Sequence, residues 1–206
     1  MKSEKLLIVF VKNILLGKVK TRLAKSIGDF GAFEVYKELV AITEAETDRI
    51  EDVDVHIYFS DQVIESKWPG KPKFVQEGAD LGERMKNAFQ HGFDMGYKRI
   101  IGVGSDLPDL SADIMNEGLQ TLVDADAVFG PSEDGGYYLV GMNRMIDCIF
   151  DDKEWSTEGL LGATQQDLTA NSYSFKLLSE LNDIDNLEDL KASSVSNKFI
   201  QYYELS

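Results

Sequence analysis

The run LLIVFV at residues 6–11 is apolar throughout, and it constrains the possible folds more than any other feature of the chain. A strand without a polar face has to be covered on both sides, as happens inside a parallel sheet flanked by helices. The run RIIGVG at residues 99–104 has the same character. The two runs therefore predict buried strands in one mostly parallel sheet.

Strand and helix patterns alternate along the rest of the chain. Further strands are predicted at residues 53–60, 73–76, 126–130, 137–142 and 174–178. Helices are predicted after Asp29, over 81–95, from Ser111 to about Val123, from about Thr157 to Ala170, and after Asp185. Such alternation implies right-handed crossovers and a mostly parallel sheet. Because no helix separates the strand at 126–130 from the next one, these two strands are expected to pair directly, which makes the sheet mixed. We expect one α/β domain over residues 1–206.

The composition argues against several functions. The chain has 206 residues and a formal net charge of −15, which repels nucleic acid and anionic membranes. Its longest apolar run is too short for a signal-peptide core or a membrane span. Cys148 is the single cysteine, so no internal disulfide can form. We expect a cytoplasmic protein with no nucleic-acid partner and no membrane span.

A basic segment follows the first strand. Residues 5–28 contain no acid, so an anionic ligand would be repelled least there. The candidate phosphate-binding residues are Gly17, Lys18, Lys20 and Arg22, within GKVKTRLAK. Neither the P-loop nor the dinucleotide-binding glycine pattern is present, so phosphate is expected to be held by side chains and a metal ion. The alternative is a solvated basic loop that balances nearby acids.

The second predicted strand of this kind ends in acids, in the stretch GSDLPDL at residues 104–110. Ligands of open α/β sheets bind outside the carboxyl ends of the strands, where Asp106 is predicted to lie. A carboxylate there suits Mg²⁺ or Mn²⁺, which bind few protein carboxylates together with substrate phosphates. The alternative is an ordinary loop in which Asp109 or Ser111 caps the next helix.

A third segment, GPSEDGGYYLVG at residues 130–141, combines an acid with paired glycines before an aromatic strand. Asp134 is a candidate acceptor for a sugar hydroxyl, and the glycines would leave room for a sugar ring. The candidate substrate-binding residues here are Asp134, Gly135, Gly136 and Tyr137. A hairpin turn of the Asp-Gly type would explain Asp134 and Gly135 without any ligand.

Together with EGADLGERM (77–85), WST (155–157) and DIDNLEDL (183–190), these segments resemble the bacterial DUF2064 family of glycosyltransferase-like proteins. The resemblance implies a Rossmann-like GT-A nucleotide-diphospho-sugar transferase fold, a three-layer α/β/α sandwich with a mixed, mostly parallel sheet. It implies that Asp106 is the metal-binding acid and that Trp155 or Ser156 touches substrate. The family usually has proline where Ile14 stands, in the basic loop. It usually has cysteine where Leu107 stands, so no chemistry is assigned to Leu107.

In related folds a late acid completes the metal site, and Asp185 is the candidate in preference to Asp183. A capping box between Asp185 and Glu188 would explain Asp185 without a metal ion.

Three functions fit these features. The first is transfer of a sugar from a nucleotide-diphospho-sugar to a small-molecule acceptor, with Asp106 and Asp185 holding Mg²⁺ or Mn²⁺ and Asp134 or Asp109 as base. The second is nucleotidyl transfer, in which a phosphorylated small molecule attacks a nucleoside triphosphate and pyrophosphate leaves. The third is a non-catalytic nucleotide-binding module.

Overall fold

The computed structural model describes residues 3–204, and a seven-stranded sheet forms its centre. The strands are β1 (Lys5–Val11), β2 (Asp54–Phe59), β3 (Lys73–Val75), β4 (Arg99–Gly104), β5 (Ala127–Pro131), β6 (Tyr137–Met142) and β7 (Phe175–Leu177). Their order in the sheet is β3-β2-β1-β4-β6-β5-β7. Strand β6 runs antiparallel to both of its neighbours, and all other neighbours pair in parallel. The predicted mixed, mostly parallel sheet is therefore confirmed, including the direct pairing of β5 with β6.

Helices cover both faces of the sheet. They are α1 (Thr21–Asp48), α2 (Leu81–Asp94), α3 (Ala112–Thr121), α4 (Leu160–Ala170) and α5 (Leu187–Ala192). Short 3₁₀ turns lie at Asp147–Ile149, Ser196–Lys198 and Ile200–Tyr202. Alternate residues of β1 enter different cores, because side chains of a strand point to opposite faces. Leu7 and Val9 pack with residues of α1 and α3, whereas Leu6 and Ile8 pack with residues of α2 and α4. This confirms the α/β layering.

The start of helix α1 that the sequence predicted is wrong. The segment before Asp29 was expected to be a basic loop, but α1 already begins at Thr21 and is interrupted at Gly28, which has φ 75° and ψ 163°. Leu23 and Ile27 explain the early start, because residues four apart share one helix face and both are buried there. Asp29 therefore opens the longer second part of α1 rather than the whole helix.

A third apolar cluster lies on the outer side of α1. Leu23, Val35 and Leu39 of α1 pack there against Leu190 of α5 and against Ile184, which is 1% exposed. Burial of Ile184 fixes the backbone between β7 and α5. The two residues that flank it are the aspartates of the sequence DID, so this cluster determines where both carboxylates lie.

The topology collects several loops at one edge of the sheet. Strands β1, β4, β5 and β7 all point the same way, since β6 is antiparallel to β4 and to β5. The segments that follow these strands therefore meet at their carboxyl ends, where α/β proteins bind ligands. These segments carry the basic residues after β1, Asp106 after β4, the turn 132–136 after β5, and the DID sequence after β7.

No helix within residues 3–204 has the length and apolar character required to cross a bilayer.

Candidate active site

Lys20 lies at the centre of the site. Its Nζ donates to Asp106 Oδ2 at 3.1 Å, Asp183 Oδ2 at 3.3 Å and Asp185 Oδ1 at 3.2 Å, and 6% of its side chain is exposed. Lys20 also has the left-handed backbone conformation, with φ 46° and ψ 49°, just before the first turn of α1. A non-glycine residue in this conformation costs about 1–3 kcal/mol, so the ion pairs have to compensate for it. The segments after β1, β4 and β7 thus converge on one ammonium group.

The three carboxylates outnumber the ammonium group that they surround. Burial disfavours the charged form of Lys20, but the three carboxylates outweigh burial and raise the pKa of Lys20 above its ordinary value. The pKa of Asp183 is raised to about 6, first by burial and then by Asp106 and Asp185, against the attraction of Lys20. An acid paired with a single lysine would have its pKa lowered. At Asp183 burial reverses this direction, and the two neighbouring carboxylates add to the effect of burial.

Asp185 is free to join this cluster because it does not cap α5. The expected capping box of Asp185 with Glu188 is wrong: Asn186 accepts from the Asp189 amide at 3.0 Å, and Asp189 accepts from the Asn186 amide at 2.9 Å. Asp189 also accepts from the Asp185 amide. The Asp185 carboxylate instead contacts Lys20 and, at 3.1 Å, Arg22.

The observed cap gives a testable prediction. We expect Asn186→Ala to lower the free energy of unfolding by about 1 kcal/mol, because the first turn of α5 loses a hydrogen bond to a backbone amide. Glu188→Ala is the matched control, since Glu188 is exposed and takes no part in the cap. Urea unfolding of both variants measures the difference. A larger loss of unfolding free energy in Glu188→Ala than in Asn186→Ala would contradict the observed cap and support the capping box of Asp185 with Glu188.

Gly104 lets Asp106 reach the cluster. A Cβ atom on Gly104 would lie 2.9 Å from Asp106 Oδ1, so any larger residue at the end of β4 would push this carboxylate away. The adjacent Ser105 is buried, and its Oγ lies 3.1 Å from the hydroxyl of Tyr36. Burial raises the pKa of Tyr36 to about 12, so this hydroxyl is protonated at neutral pH.

Tyr36 also fixes the chain that leaves β1. Its hydroxyl accepts from the Lys12 amide at 3.0 Å and lies 3.1 Å from the Lys12 carbonyl oxygen. The sequence did not identify Lys12 or Tyr36 as site residues, and it favoured Asp185 over Asp183. Tyr36 was assigned to the apolar stripe of α1, where its ring does lie. The spacing of such a stripe does not reveal whether the hydroxyl of a tyrosine forms hydrogen bonds in a site.

Two neighbouring cavities share the cluster. The larger has a volume of about 340 Å³ and extends from Asp106 and Asp183 to Asp134 and Trp155. The smaller has a volume of about 200 Å³ and is lined by a basic set of side chains together with Thr21, Tyr36 and two carboxylates. The basic residues are Lys12, Lys20 and Arg22. Lys12, Tyr36 and Asp106 line both cavities, so they separate the two spaces.

The turn between β5 and β6 forms one wall of the larger cavity. Asp134 Oδ1 accepts from the Gly136 amide at 3.0 Å and from Ser132 Oγ at 2.5 Å. Asp134 and Gly136 also line the cavity. Asp134 therefore both builds the hairpin and lies at the cavity. Gly135 lies behind the wall, with φ 83° and against the backbone of Glu158.

Trp155, Ser156 and Tyr137 line the same cavity. The indole of Trp155 lies over Gly82, since a Cβ atom on Gly82 would be 2.5 Å from Trp155 Nε1. Ser156 has φ 63°, a left-handed conformation. Helix α4 begins at Leu160, after Gly159, rather than at about Thr157 as the sequence predicted, and it has no side-chain cap.

Besides Gly135, three of the candidate site residues line neither cavity. Asp109 is exposed, and its carboxylate accepts from Ser194 Oγ at 2.6 Å. Gly17 and the exposed Lys18 belong to the turn before α1 and line neither cavity. Their roles as base and phosphate ligands therefore gain no support from the structure.

The cluster was assessed as a place for a divalent cation. No three His, Cys, Asp or Glu side chains within residues 3–204 form a group arranged to hold a metal ion. The centre of the cluster of Asp106, Asp183 and Asp185 is taken by the Lys20 ammonium group, a positive charge. Carboxylate oxygens are nevertheless the donors that Mg²⁺ and Mn²⁺ bind. The donor set therefore fits such a cation in chemical type.

Comparison with solved structures places the fold in a known class. A provisionally described nucleotide-diphospho-sugar transferase from Desulfovibrio desulfuricans G20 superposes with a TM-score of 0.88, at 30% identity over 97% of this chain and 98% of that chain. 4-Diphosphocytidyl-2C-methyl-D-erythritol synthase from Anaerococcus prevotii DSM 20548 gives a TM-score of 0.62 at 10% identity, covering 95% of this chain and 99% of that chain. CMP:2-keto-3-deoxy-manno-octonic acid synthetase, complexed with CTP, gives 0.59 at 13% identity, covering 96% and 99%.

The fold is that of the nucleotide-diphospho-sugar transferases and the nucleotidyltransferases. A family model described as "Uncharacterized protein conserved in bacteria (DUF2064)" matches residues 43–157. The chain belongs to this family. Comparison with curated proteins gives no match.

Proposed function

We propose that the protein transfers a glycosyl group from a nucleotide-diphospho-sugar to a hydroxyl group of a small acceptor. The observation that carries this proposal is the division of charge between the two cavities. The smaller cavity has more cationic than acidic side chains, namely Lys12, Lys20 and Arg22 against Asp106 and Asp185. The larger has more acidic than cationic ones, namely Asp106, Asp134 and Asp183 against Lys12. A ligand with a phosphorylated part and an uncharged part matches this division.

The smaller cavity suits the diphosphate. Arg22 is 74% exposed and offers a planar fork to phosphate oxygens, and Lys20 offers a compact charge beside it. Positive charge at this position stabilises the nucleoside diphosphate as it leaves, which is a main source of rate in group transfer from phosphate esters.

The larger cavity suits the sugar and the acceptor hydroxyl. Within the described part of the chain, its lining has one cationic residue, Lys12, at the end shared with the smaller cavity. Hydroxyl-bearing side chains and the aromatic rings of Tyr137 and Trp155 complete the wall. Asp134 is the acid at the far end and is the proposed base for the acceptor hydroxyl, since half of its carboxylate remains available after the turn is satisfied.

Asp106 and Asp185, joined by Asp183, would hold Mg²⁺ or Mn²⁺. When bound, such a cation supplies further positive charge next to the diphosphate. The chain's own part is to place Lys20 and Arg22 beside that charge and to keep Asp134 at the other end of the cavity.

Nucleotidyl transfer is the second candidate, and a specific observation favours it. Three cationic side chains around one cavity suit a triphosphate, and one protein of the same fold is a synthetase complexed with CTP. A phosphorylated acceptor, however, would have to enter a cavity lined by three carboxylates. We therefore place this reaction second.

A ligand panel separates the two reactions. The protein with Mn²⁺ is heated with UDP- and GDP-sugars or with nucleoside triphosphates, and the midpoint of unfolding is followed. A ligand at 100 times its Kd stabilises by about 2.7 kcal/mol. We expect the sugar nucleotides to stabilise more, and a panel of uncharged acceptors to release nucleoside diphosphate. Release of pyrophosphate from a triphosphate with a phosphorylated acceptor would contradict the proposal. Binding without turnover on the whole panel would indicate a nucleotide-binding module.

A further inference from the structure

The geometry points to Lys20 as an exchangeable counter-ion: its ammonium group holds the place between Asp106, Asp183 and Asp185 until a divalent cation displaces it toward the smaller cavity. This inference rests on the proposed function, because it concerns the same site. It assigns Lys20 a role in coupling the binding of metal and phosphate, beyond that of a phosphate ligand.

The first step of the argument is the position of the ammonium group. Lys20 Nζ lies 3.1–3.3 Å from an oxygen of each of the three carboxylates. With 6% of its side chain exposed, Lys20 is shielded from solvent, whereas Asp106 and Asp185 are 36% and 41% exposed. The positive charge lies inside and the carboxylates face outward. A cation that arrives from solvent therefore reaches the carboxylate oxygens first. It has to compete for them with the ammonium group of Lys20.

The second step concerns charge. A divalent cation and an ammonium group in van der Waals contact repel each other, so both cannot occupy the centre of the cluster. Three carboxylates with one lysine leave negative charge in excess, and Arg22 contacts the outer side of Asp185. The cluster can therefore exchange one positive charge for two without acquiring a net positive charge.

The third step is the path that Lys20 takes. Lys20 already lines the smaller cavity, next to Thr21 and Arg22. Rotation of its long side chain moves the ammonium group from the carboxylates into this cavity without moving the backbone. The ammonium group of Lys20 would then bind phosphate oxygens in this cavity, while the divalent cation binds the three carboxylates that Lys20 has left. Metal and nucleotide consequently bind together more tightly than either binds alone.

The test measures Mn²⁺ binding without nucleotide, by electron paramagnetic resonance of free Mn²⁺. We expect Lys20→Gln to bind Mn²⁺ about tenfold or more tightly than the wild type, since the competing charge is gone. The same variant is expected to bind UDP and GDP more weakly at saturating Mg²⁺. Lys25→Gln is the matched control: it removes the same charge from the same segment, but Lys25 is exposed and outside both cavities. Its Mn²⁺ affinity is expected to equal that of the wild type.

Removal of Lys20 leaves three carboxylates without their buried partner, which destabilises the fold. The midpoint of unfolding of Lys20→Gln is therefore expected to rise more with Mn²⁺ than that of the wild type. This keeps the test decisive even if the variant folds only with Mn²⁺ present. A Lys20→Gln variant with unchanged or weaker Mn²⁺ affinity, or with no larger rise of its midpoint, would overturn the inference.

A second measurement uses the wild-type protein. Reductive methylation followed by mass spectrometry reports the accessibility of each lysine. We expect labelling of Lys20 to increase when Mn²⁺ is added and to fall again when UDP or GDP follows, while labelling of Lys25 stays constant. Constant labelling of Lys20 at saturating Mn²⁺ would refute the exchange. Because neither experiment involves a sugar or turnover, a failure of the proposed glycosyl transfer would leave both outcomes interpretable.

Discussion

Replacing Asp106 with asparagine is expected to lower turnover about 100-fold to 1,000-fold, the usual cost of losing one group that positions charge at a reaction centre. The amide keeps the size of the side chain but removes the negative charge that holds Lys20 and would hold a divalent cation. The loss should be seen in kcat and in Mn²⁺ affinity. It should not come from unfolding, because partly exposed ion pairs contribute about 1 kcal/mol or less and Asp106 adds to an excess of negative charge. Thermal unfolding of the variant checks this.

Asp109→Asn is the matched control for that experiment. The same substitution three residues later removes the same charge, but the Asp109 carboxylate is exposed and contacts Ser194 outside both cavities. We expect turnover within about twofold of the wild type, as for most surface substitutions. Equal losses of turnover in the Asp106 and Asp109 variants would contradict this distinction between the two carboxylates. Asp109 would then again be a candidate for the base.

The contrast between these two aspartates shows what a sequence reveals about a site of this kind. The boundaries of β4 and β6 were predicted to the residue, because an apolar run that ends abruptly is a local signal. The position of Asp106 at the carboxyl end of β4 followed from the strand alone. Asp109 has the same chemistry and nearly the same place in the chain, and its separation from the site depends on a contact with Ser194, 85 residues away.

The partners of Lys20 could not be predicted from local patterns for the same reason. The sequence favoured Asp185 over Asp183, yet both contact Lys20 because the buried Ile184 between them fixes the backbone. That burial arises from a cluster with α1 that forms only in the folded chain. The early start of α1 was missed because the charge of its first turns was given more weight than the spacing of Leu23 and Ile27.

Gly135→Ala is expected to damage the larger cavity while leaving the smaller one intact. A Cβ atom on Gly135 would lie 2.0 Å from the carbonyl oxygen of Glu158, and Gly135 accepts from the Leu161 amide at 3.0 Å. The turn and the segment that leads into α4 must therefore move apart, and both line the larger cavity. We expect a loss of about 1–3 kcal/mol of stability from the collision. The left-handed conformation adds about 1–2 kcal/mol to this loss.

Gly70→Ala separates these two contributions. Gly70 has φ 78°, close to the 83° of Gly135, but no atom lies within 4 Å of the position of its Cβ. Gly70→Ala should thus show the conformational cost alone, measured by urea unfolding, and should bind ligands as the wild type does.

For Gly135→Ala we expect the affinity for a UDP- or GDP-sugar to fall about tenfold or more, because displacement of the cavity wall removes at least one or two contacts with the sugar. Affinity for UDP or GDP alone should be kept, because Lys12, Lys20 and Arg22 line the other cavity. Equal losses for the sugar nucleotide and the free nucleotide would show that the two cavities do not divide the donor between them.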